Sequence, residues 1–515
     1  MIDSILAEYI SEAVHTHFGL AEEGVFLEIP GNPEHGDFST NIAFKLAKPL
    51  KKAPAAIAIE ISELLNQTHL NDGISFTPLN GFINLTLSDR ALFALLAQPF
   101  SSYPIQSRKV NLEFVSANPT GPLHIGHGRW AVMGSAIASL LSEVGHDVTC
   151  EFYINDAGNQ IDNFRASISA VKNNSPIPEN GYHGAYIKEL ASSDLDPVAA
   201  MLADHKTVLA ALGVAFDIWY SESSLHASGL VKEMIQKIEE NNLSYKADGA
   251  LWFKTTEFGD SKDRVLIKAD GALTYFCVDI AYHFEKTKRE YDQLIDIWGA
   301  DHHGYVPRMR AALRGICGDD YAGDRFKVII GQLVSLFRNG EPVRMSKRTG
   351  EMITLSEVME EIGVDATRFF LIQKSHDTSI DFDLAVAASQ TSENPVYYIQ
   401  YAHARIASIL RKADDTIPST MDDAAGPLEP SERDLLIMIL RYRREILTSA
   451  TNYLPHQLAT YLIQLSKAFH AFYHNCPILN SEPGIKKRRL AILSTTQKTL
   501  KMGLHLLGIS APDSM

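Results

Sequence analysis

Apolar and polar positions change their period several times along the chain. Over residues 1 to about 100, an amphipathic start with Ile5, Leu6, Tyr9, Ile10 and Val14 predicts a helix. The turn-rich PGNPEHGDFST follows, and the apolar run GFINLTLS then predicts a strand. From residue 108 the order is strand, helix, strand. KVNLEFVSA alternates through Val110, Leu112 and Phe114, Asn118 to Pro122 forms a turn, and Leu123 to Val144 is helical up to Gly145. DVTCEFYIND is the second strand, and this βαβ order implies a parallel sheet of Rossmann type.

A second set of such signals comes later. LIDIW runs as a strand into GADHHG, the helix PRMRAALRGI follows, and FKVIIGQLVSLF reads as a further strand. RNGE carries the Asn-Gly pair of a tight hairpin. The two ADGAL copies read as Asp-Gly turns bracketing a strand pair, since two copies do not make a repeat architecture. Residues 155–265 form a polar, mostly helical insertion between the two halves. From Asn394 onward four helical stretches predict a terminal bundle, with the acidic ADDTIPSTMDDAAGPLEPSE between the first two. The expected division is an α+β module at 1–100, an α/β Rossmann-type parallel-sheet core at 101–390, and an all-α bundle at 391–515.

Composition changes this picture little. The 515 residues exceed what one domain usually holds, and 45% apolar with 21% charged residues is a globular mixture. The net charge of −15 argues weakly against a nucleic-acid partner, because only the surface facing the phosphates has to be basic. Cys150, Cys277, Cys317 and Cys476 lie far apart with no C-x-x-C spacing, so no structural zinc and no disulfide framework is expected. The start lacks a basic n-region, and no apolar run reaches the roughly 18–20 residues of a membrane span. A soluble cytoplasmic protein with no membrane partner is the expectation.

Two stretches carry candidate chemistry. In NPTGPLHIGHGRW, His124 and His127 sit three apart around Gly126, at the start of a helix that follows a parallel strand. Zinc binding fits poorly, since metalloprotease histidines are four apart with a glutamate inside. An ordinary helix start with incidental histidines is a second reading. The third uses the location: free N–H groups at a helix start beyond a strand's carboxyl end form an anion site. There Gly126 would let a phosphate or purine come close, and the imidazoles would donate to phosphate oxygens. The other stretch, RMSKRTG at 344–350, is either a solvated basic loop or a clamp on a transferring phosphate. It precedes TLSE, a capping box of Thr354 and Glu357.

Together, HIGH at 124–127 and MSK at 345–347 in a split Rossmann pattern resemble the class I aminoacyl-tRNA synthetases. The family's KMSKS stands here as RMSKR, with Arg348 in place of the last serine. EFVSANPTGPLHIGHGR, YINDAGNQI, TYFCVDIAYH, WGADHHGYVPRM, ENPVYYIQYAHARI and PEHGDFSTNIA further resemble the arginyl-tRNA synthetases over essentially the whole chain. That family usually carries an arginine before the final methionine, where this chain has Ser514.

The resemblance implies an arginine–tRNA ligase that uses ATP with Mg2+, L-arginine and a tRNA with an arginine anticodon. A non-catalytic RNA-binding paralogue is the alternative, expected to have lost a histidine of HIGH or the lysine of MSK. His124, His127 and Lys347 would be catalytic, and Gly126, Met345, Ser346 and Lys347 would hold ATP. Tyr275 and Asp279 would take the guanidinium; Glu113, Ser116 and Asn118 would surround the amino and carboxyl groups; Asp301 and His302 would line the floor. No metal ligands are expected in the protein itself. A site that reads a planar cation rejects lysine without an editing domain. The family's amino-terminal domain binds tRNA and its terminal bundle reads the anticodon. Basic clusters at Arg441, Arg443 and Arg444 and at Lys486, Lys487, Arg488 and Arg489, with Tyr397, Tyr398, Tyr401 and Phe472, would serve that surface. A monomer is expected.

Overall fold

The computed structural model describes residues 2–20, 25–69, 72–97, 102–343, 353–391, 393–413 and 426–515. Its centre is a five-stranded sheet, parallel throughout, in the order Phe326–Gly331, Gln293–Gly299, Lys109–Glu113, Asp147–Ile154, Ile218–Ser221. The first of these five strands in chain order, Lys109–Glu113, lies in the middle. Its sequence successors run off to one side and the later pair to the other. The order therefore reverses between Lys109–Glu113 and Gln293–Gly299, the crevice where such sheets bind ligands.

The helix Ile125–Glu143, hereafter the motif helix, packs on this sheet at close range. A Cβ on Gly134 would lie 2.2 Å from the Phe114 ring, so only glycine fits there. Its Arg129, fully buried, donates to the carbonyls of Gln332 (2.7 Å), Leu333 (3.2 Å), Ser375 (2.9 Å) and Thr378 (2.7 Å). Four carbonyl dipoles take the place of a carboxylate, and burial pulls this guanidinium down to about 10.

Two expectations change. The strand FKVIIGQLVSLF is divided: Phe326–Gly331 ends the parallel sheet, while Val334–Arg338 pairs with Glu341–Pro342 and Ile380–Asp383 in a separate sheet. The break falls where Gly331 passes beneath Trp130 and leaves no room for a side chain, so the chain turns out at the rim. The insertion 155–265 is also interrupted. Its helices Asn159–Lys172, Ala185–Ala191 and Pro197–Ala211 are followed by Ile218–Ser221, which returns to the central sheet as its edge strand. Beyond that strand lie the helices Glu222–Ser228 and Leu230–Glu240 and a small three-stranded sheet.

The turn chemistry follows the sequence. Asn339 and Gly340, and Asp248 and Gly249, all have positive φ and close antiparallel pairs, as Asn-Gly and Asp-Gly hairpins require. The amino-terminal module packs three helices on the sheet Phe38–Thr40, Phe82–Leu87, Ile74–Leu79. Arg433 ties it to the terminal bundle, reaching Asp37 (2.6 Å), Asp89 (3.1 Å) and the Leu87 carbonyl (2.6 Å). That bundle consists of Pro395–Ala413, Pro430–Thr451, Pro455–Asn475 and Pro483–Leu506. Among the described residues no helix is long and apolar enough to cross a membrane.

Candidate functional site

Strand Lys109–Glu113 delivers the chain to the crevice and then bends sharply. Val115 and Ser116 take φ of 69° and 42°, a left-handed pair that is costly for a β-branched residue. What holds it is hydrogen bonding: Ser116 Oγ donates to Glu113 Oε1 (3.0 Å) and accepts from the Tyr153 amide (3.1 Å). The following turn is braced by the insertion. Gln160 accepts from Asn118 (2.6 Å), Tyr186 donates to the Thr120 carbonyl (3.0 Å), and His205 Nε2 lies 2.8 Å from the Gly121 carbonyl.

That turn ends at His124, the cap of the motif helix. Its Nδ1 accepts from the Gly126 amide (3.1 Å), and His127 Nδ1 accepts from the His124 amide (3.3 Å), with the two rings stacked 3.7 Å apart. Because Nδ1 accepts in both rings, each neutral imidazole carries its proton on Nε2. Gly126 eases this: a Cβ there would sit 3.0 Å from His124 Cε1 and push the ring aside by a few tenths of an ångström.

A second helix start lies alongside. Thr354 and Glu357 form the expected capping box of Leu355–Ile362, His124 pairs with Thr354 in a β-bridge, and the Leu355 amide donates to the Leu123 carbonyl (2.8 Å). Gly128 permits the approach, since a Cβ there would meet Leu355 at 2.6 Å. Met345, Ser346 and Lys347, with the whole run 344–352, lie outside the described residues. Thr354, two positions beyond that run, is thus joined to the first histidine of HIGH.

A cavity of about 660 Å³ opens beside His127, lined among others by Ser116, Asn118, Tyr275, Asp279, Asp301, His302, Tyr305 and Glu222. Two carboxyl groups set its character. Asp279 accepts from the Tyr305 hydroxyl (2.5 Å), and burial pushes it above the usual carboxylate range. Glu222, 7% exposed, is pushed up by burial, and the Asp279 charge adds to the shift. With its amide turned to satisfy its neighbours, Asn155 donates to Glu222 Oε2 (3.0 Å). Two buried carboxyls with aromatic walls suit a planar cation, although the His226 ring already lies 3.6 Å from Glu222. Tyr275 is 68% exposed at the mouth, and Asp301 and His302 are exposed beside it.

Glu113 differs from the expectation that it meets the substrate's polar groups. It is not part of the cavity lining, since Lys286 (2.5 Å) and the Tyr282 hydroxyl (2.8 Å) hold its Oε2 from behind. Lys286 also binds Asp296 (3.0 Å), which in turn accepts from His283 (2.7 Å). A buried carboxylate needs such a cation, so Glu113 anchors the Ser116 bend from beneath.

A second cavity of about 1080 Å³ shares Asn118, His127 and Gln160 and extends to Thr354, Glu357, Tyr186 and Asp204. Among the described residues no group of three or more His, Cys, Asp or Glu is placed to hold a metal ion. Sequence reasoning missed Glu222. Its weak signal was a serine cap, Ser221, opening a short helix directly after an edge strand.

The carboxyl-terminal expectations need correcting. Arg488 and Arg489 are buried and both bind Glu432 (3.0 and 2.9 Å), Arg441 pairs with Glu445, Arg444 stacks on Phe26, and Phe472 is fully buried. Helix packing took up Arg488, Arg489 and Phe472, while Arg441 and Arg444 stay half-buried. Lys487 stays exposed, as do Tyr401 and Tyr473 of an aromatic row in which Tyr397 and Tyr401 stack, Tyr401 stacks on His470, and Arg405 covers Tyr473.

A doubly wound sheet, a helix start bearing HIGH at its switch point, and a cation-shaped cavity beside it define a class I aminoacyl-tRNA synthetase core. The chain matches the class I (R) tRNA synthetase catalytic domain over 94–181 and 184–409. It also matches the arginyl-tRNA synthetase N-terminal domain over 2–87 and the DALR anticodon-binding domain over 399–515. It is 44% identical to an arginine–tRNA ligase of Shouchella clausii over 95% of this chain and 94% of that one. It is 42% identical to that of Listeria monocytogenes over 99% and 98%. The arginyl-tRNA synthetase structure of Thermus thermophilus shares the fold, with a TM-score of 0.84 at 24% identity over 100% of both chains. The chain belongs to the arginyl-tRNA synthetase family.

Proposed function

We infer that this chain is an arginine–tRNA ligase, and that Asp279 and Glu222 together read the guanidinium of L-arginine. The observation that carries the reading is their placement: two buried carboxyls in a cavity that reaches His127 at a helix start. With the guanidinium held there, Asn118 and Ser116 lie where the amino acid's polar end would come, and Tyr275 closes the mouth. The arginine carboxylate then attacks the α-phosphorus of ATP in line, the bond to the bridging oxygen breaks, and pyrophosphate leaves with the magnesium ion it brought. His124 and His127 donate from Nε2 to the phosphate oxygens, and Gly126 keeps the backbone close. Lys347, with Met345 and Ser346, holds the leaving pyrophosphate. The 2′-hydroxyl of the tRNA's terminal adenosine next attacks the arginyl carbonyl carbon and AMP departs. Positioning and charge supply the rate.

The larger cavity is the room for the nucleotide ends, and the exposed Tyr401 and Tyr473, with the half-buried Tyr397 and His470 beside them, are the stacking surface for unpaired anticodon bases. Residues 1–100 supply a further tRNA contact, 101–390 the chemistry and 391–515 the anticodon contact, in a monomeric cytoplasmic enzyme. The test is ATP–pyrophosphate exchange with each proteinogenic amino acid, with and without tRNA bearing an arginine anticodon. Exchange with arginine alone supports the reading. Exchange with another amino acid overturns the cavity assignment. tRNA binding with no exchange in any condition would favour a non-catalytic paralogue.

A further inference from the structure

Arg368 lies on the helix Val364–Ile372, 1% exposed, where three parts of the molecule meet. Its Nε donates to the Leu507 carbonyl (3.0 Å), Nη1 to the Leu212 carbonyl (2.8 Å) and Nη2 to Ser135 Oγ (2.8 Å). Leu507 caps the last helix of the terminal bundle, Leu212 caps the insertion helix Pro197–Ala211, and Ser135 is on the motif helix.

The electrostatics explain why a cation is stable there. Each helix carboxyl end carries roughly half a negative charge, so two converging ends offset about one guanidinium without any carboxylate. Gly213 and Gly508, both at positive φ, end these helices immediately beyond the two carbonyls. A Cβ on Gly508 would lie 2.3 Å from Arg368 Nη2, so the chain closes directly over the charge. Burial pulls this guanidinium down to about 10 against the opposing charge of Asp365, which makes no ion pair with it.

Two of the three tethers lead to the reactive turn. Ser135 is two helical turns beyond His127. On the insertion helix, His205 is two turns before Leu212 and holds the Gly121 carbonyl at 2.8 Å, three residues ahead of His124. The third tether leads to the last helix of the bundle.

We propose that Arg368 is a positioning residue that couples the carboxyl-terminal bundle to the HIGH turn, so that tRNA seated on the bundle sets the geometry of His124 and His127. The proposal rests on the functional reading above. The planar fork spreads its donors over these three separated acceptors, and lysine would keep the charge while losing that geometry.

The test is steady-state arginylation by the full-length wild type, Arg368→Lys and Ser135→Ala. Each is assayed with tRNA bearing an arginine anticodon and with the same tRNA changed at one anticodon base. In the wild type, the anticodon change should lower kcat as well as raise KM. In Arg368→Lys, kcat with the correct tRNA should fall about 10- to 100-fold. The ratio of kcat between the two tRNAs should shrink toward one while the KM ratio persists. Ser135→Ala should move in the same direction by less, and it decides the matter if Arg368→Lys does not fold. Equal wild-type kcat for both tRNAs, or variants that scale both kcat values alike, overturns the coupling and leaves the enzyme assignment standing. A wild type that arginylates neither tRNA overturns both.

Discussion

His124 and His127 cap one another: each Nδ1 accepts a backbone amide of the same helix start, and their rings stack at 3.7 Å. The cap consumes the Nδ1 acceptor of each ring and leaves the proton on Nε2. It thereby sets the tautomer that phosphate contact requires.

Gly126→Ala should disturb this cap without unfolding the protein. The new Cβ would press on the His124 ring at 3.0 Å, which can swing away only by losing the Gly126 amide. Pyrophosphate exchange should slow by about 10- to 100-fold with the melting temperature nearly unchanged. Gly134→Ala, on the same helix, should do the reverse. Its Cβ meets the Phe114 ring at 2.2 Å, so stability should fall by about 1–3 kcal/mol in a denaturant titration.

Glu222→Gln should weaken arginine binding by about 2–5 kcal/mol, since it strips the charge from one side of the guanidinium. Calorimetric titration with arginine measures this, and ATP affinity serves as the control. An arginine affinity equal to wild type would remove Glu222 from the site.

Arginine binding should strengthen as pH rises. Burial raises the folded pKa of both Asp279 and Glu222, so the empty cavity favours their neutral forms. Their contribution to stability is complete below the unfolded pKa and fades as pH climbs through the raised folded value. A bound guanidinium favours the ionised forms, so binding in that window, above the ordinary carboxylate range, should release protons. Calorimetry in two buffers of different ionisation enthalpy reads the release; uptake instead would contradict the cavity chemistry.

Glu432→Ala should destabilise the bundle by about 3–5 kcal/mol, because it strands the buried Arg488 and Arg489 together. The denaturation midpoint reports it. If Arg489 contacted tRNA instead, Arg489→Gln would chiefly flatten the salt dependence of tRNA binding and leave the midpoint in place.

Tyr401→Ala and Tyr473→Ala should each weaken tRNA binding by about 1–3 kcal/mol if each stacks on one base. Filter binding against a tRNA lacking its anticodon arm provides the comparison: the loss should vanish there.

The local features were legible in the chain because short-range chemistry decides them. HIGH at a helix start, the Thr354–Glu357 box, the Asn339–Gly340 and Asp248–Gly249 hairpins, the parallel core and the terminal helices all follow from spacing and turn preference. Residues whose meaning depends on distant partners were not legible. Glu113 looked available to a substrate, and only the fold brings Lys286 and Tyr282 against it. Arg488 and Arg489 looked like an exposed basic run until Glu432, on another helix, took both. Glu222 had no motif to mark it, yet the edge strand Ile218–Ser221 carries it across from Asp279. Periodicity records which way a side chain faces along its own element, whereas the charge it meets there depends on chain 56 to 173 residues away in these cases, which only tertiary packing selects.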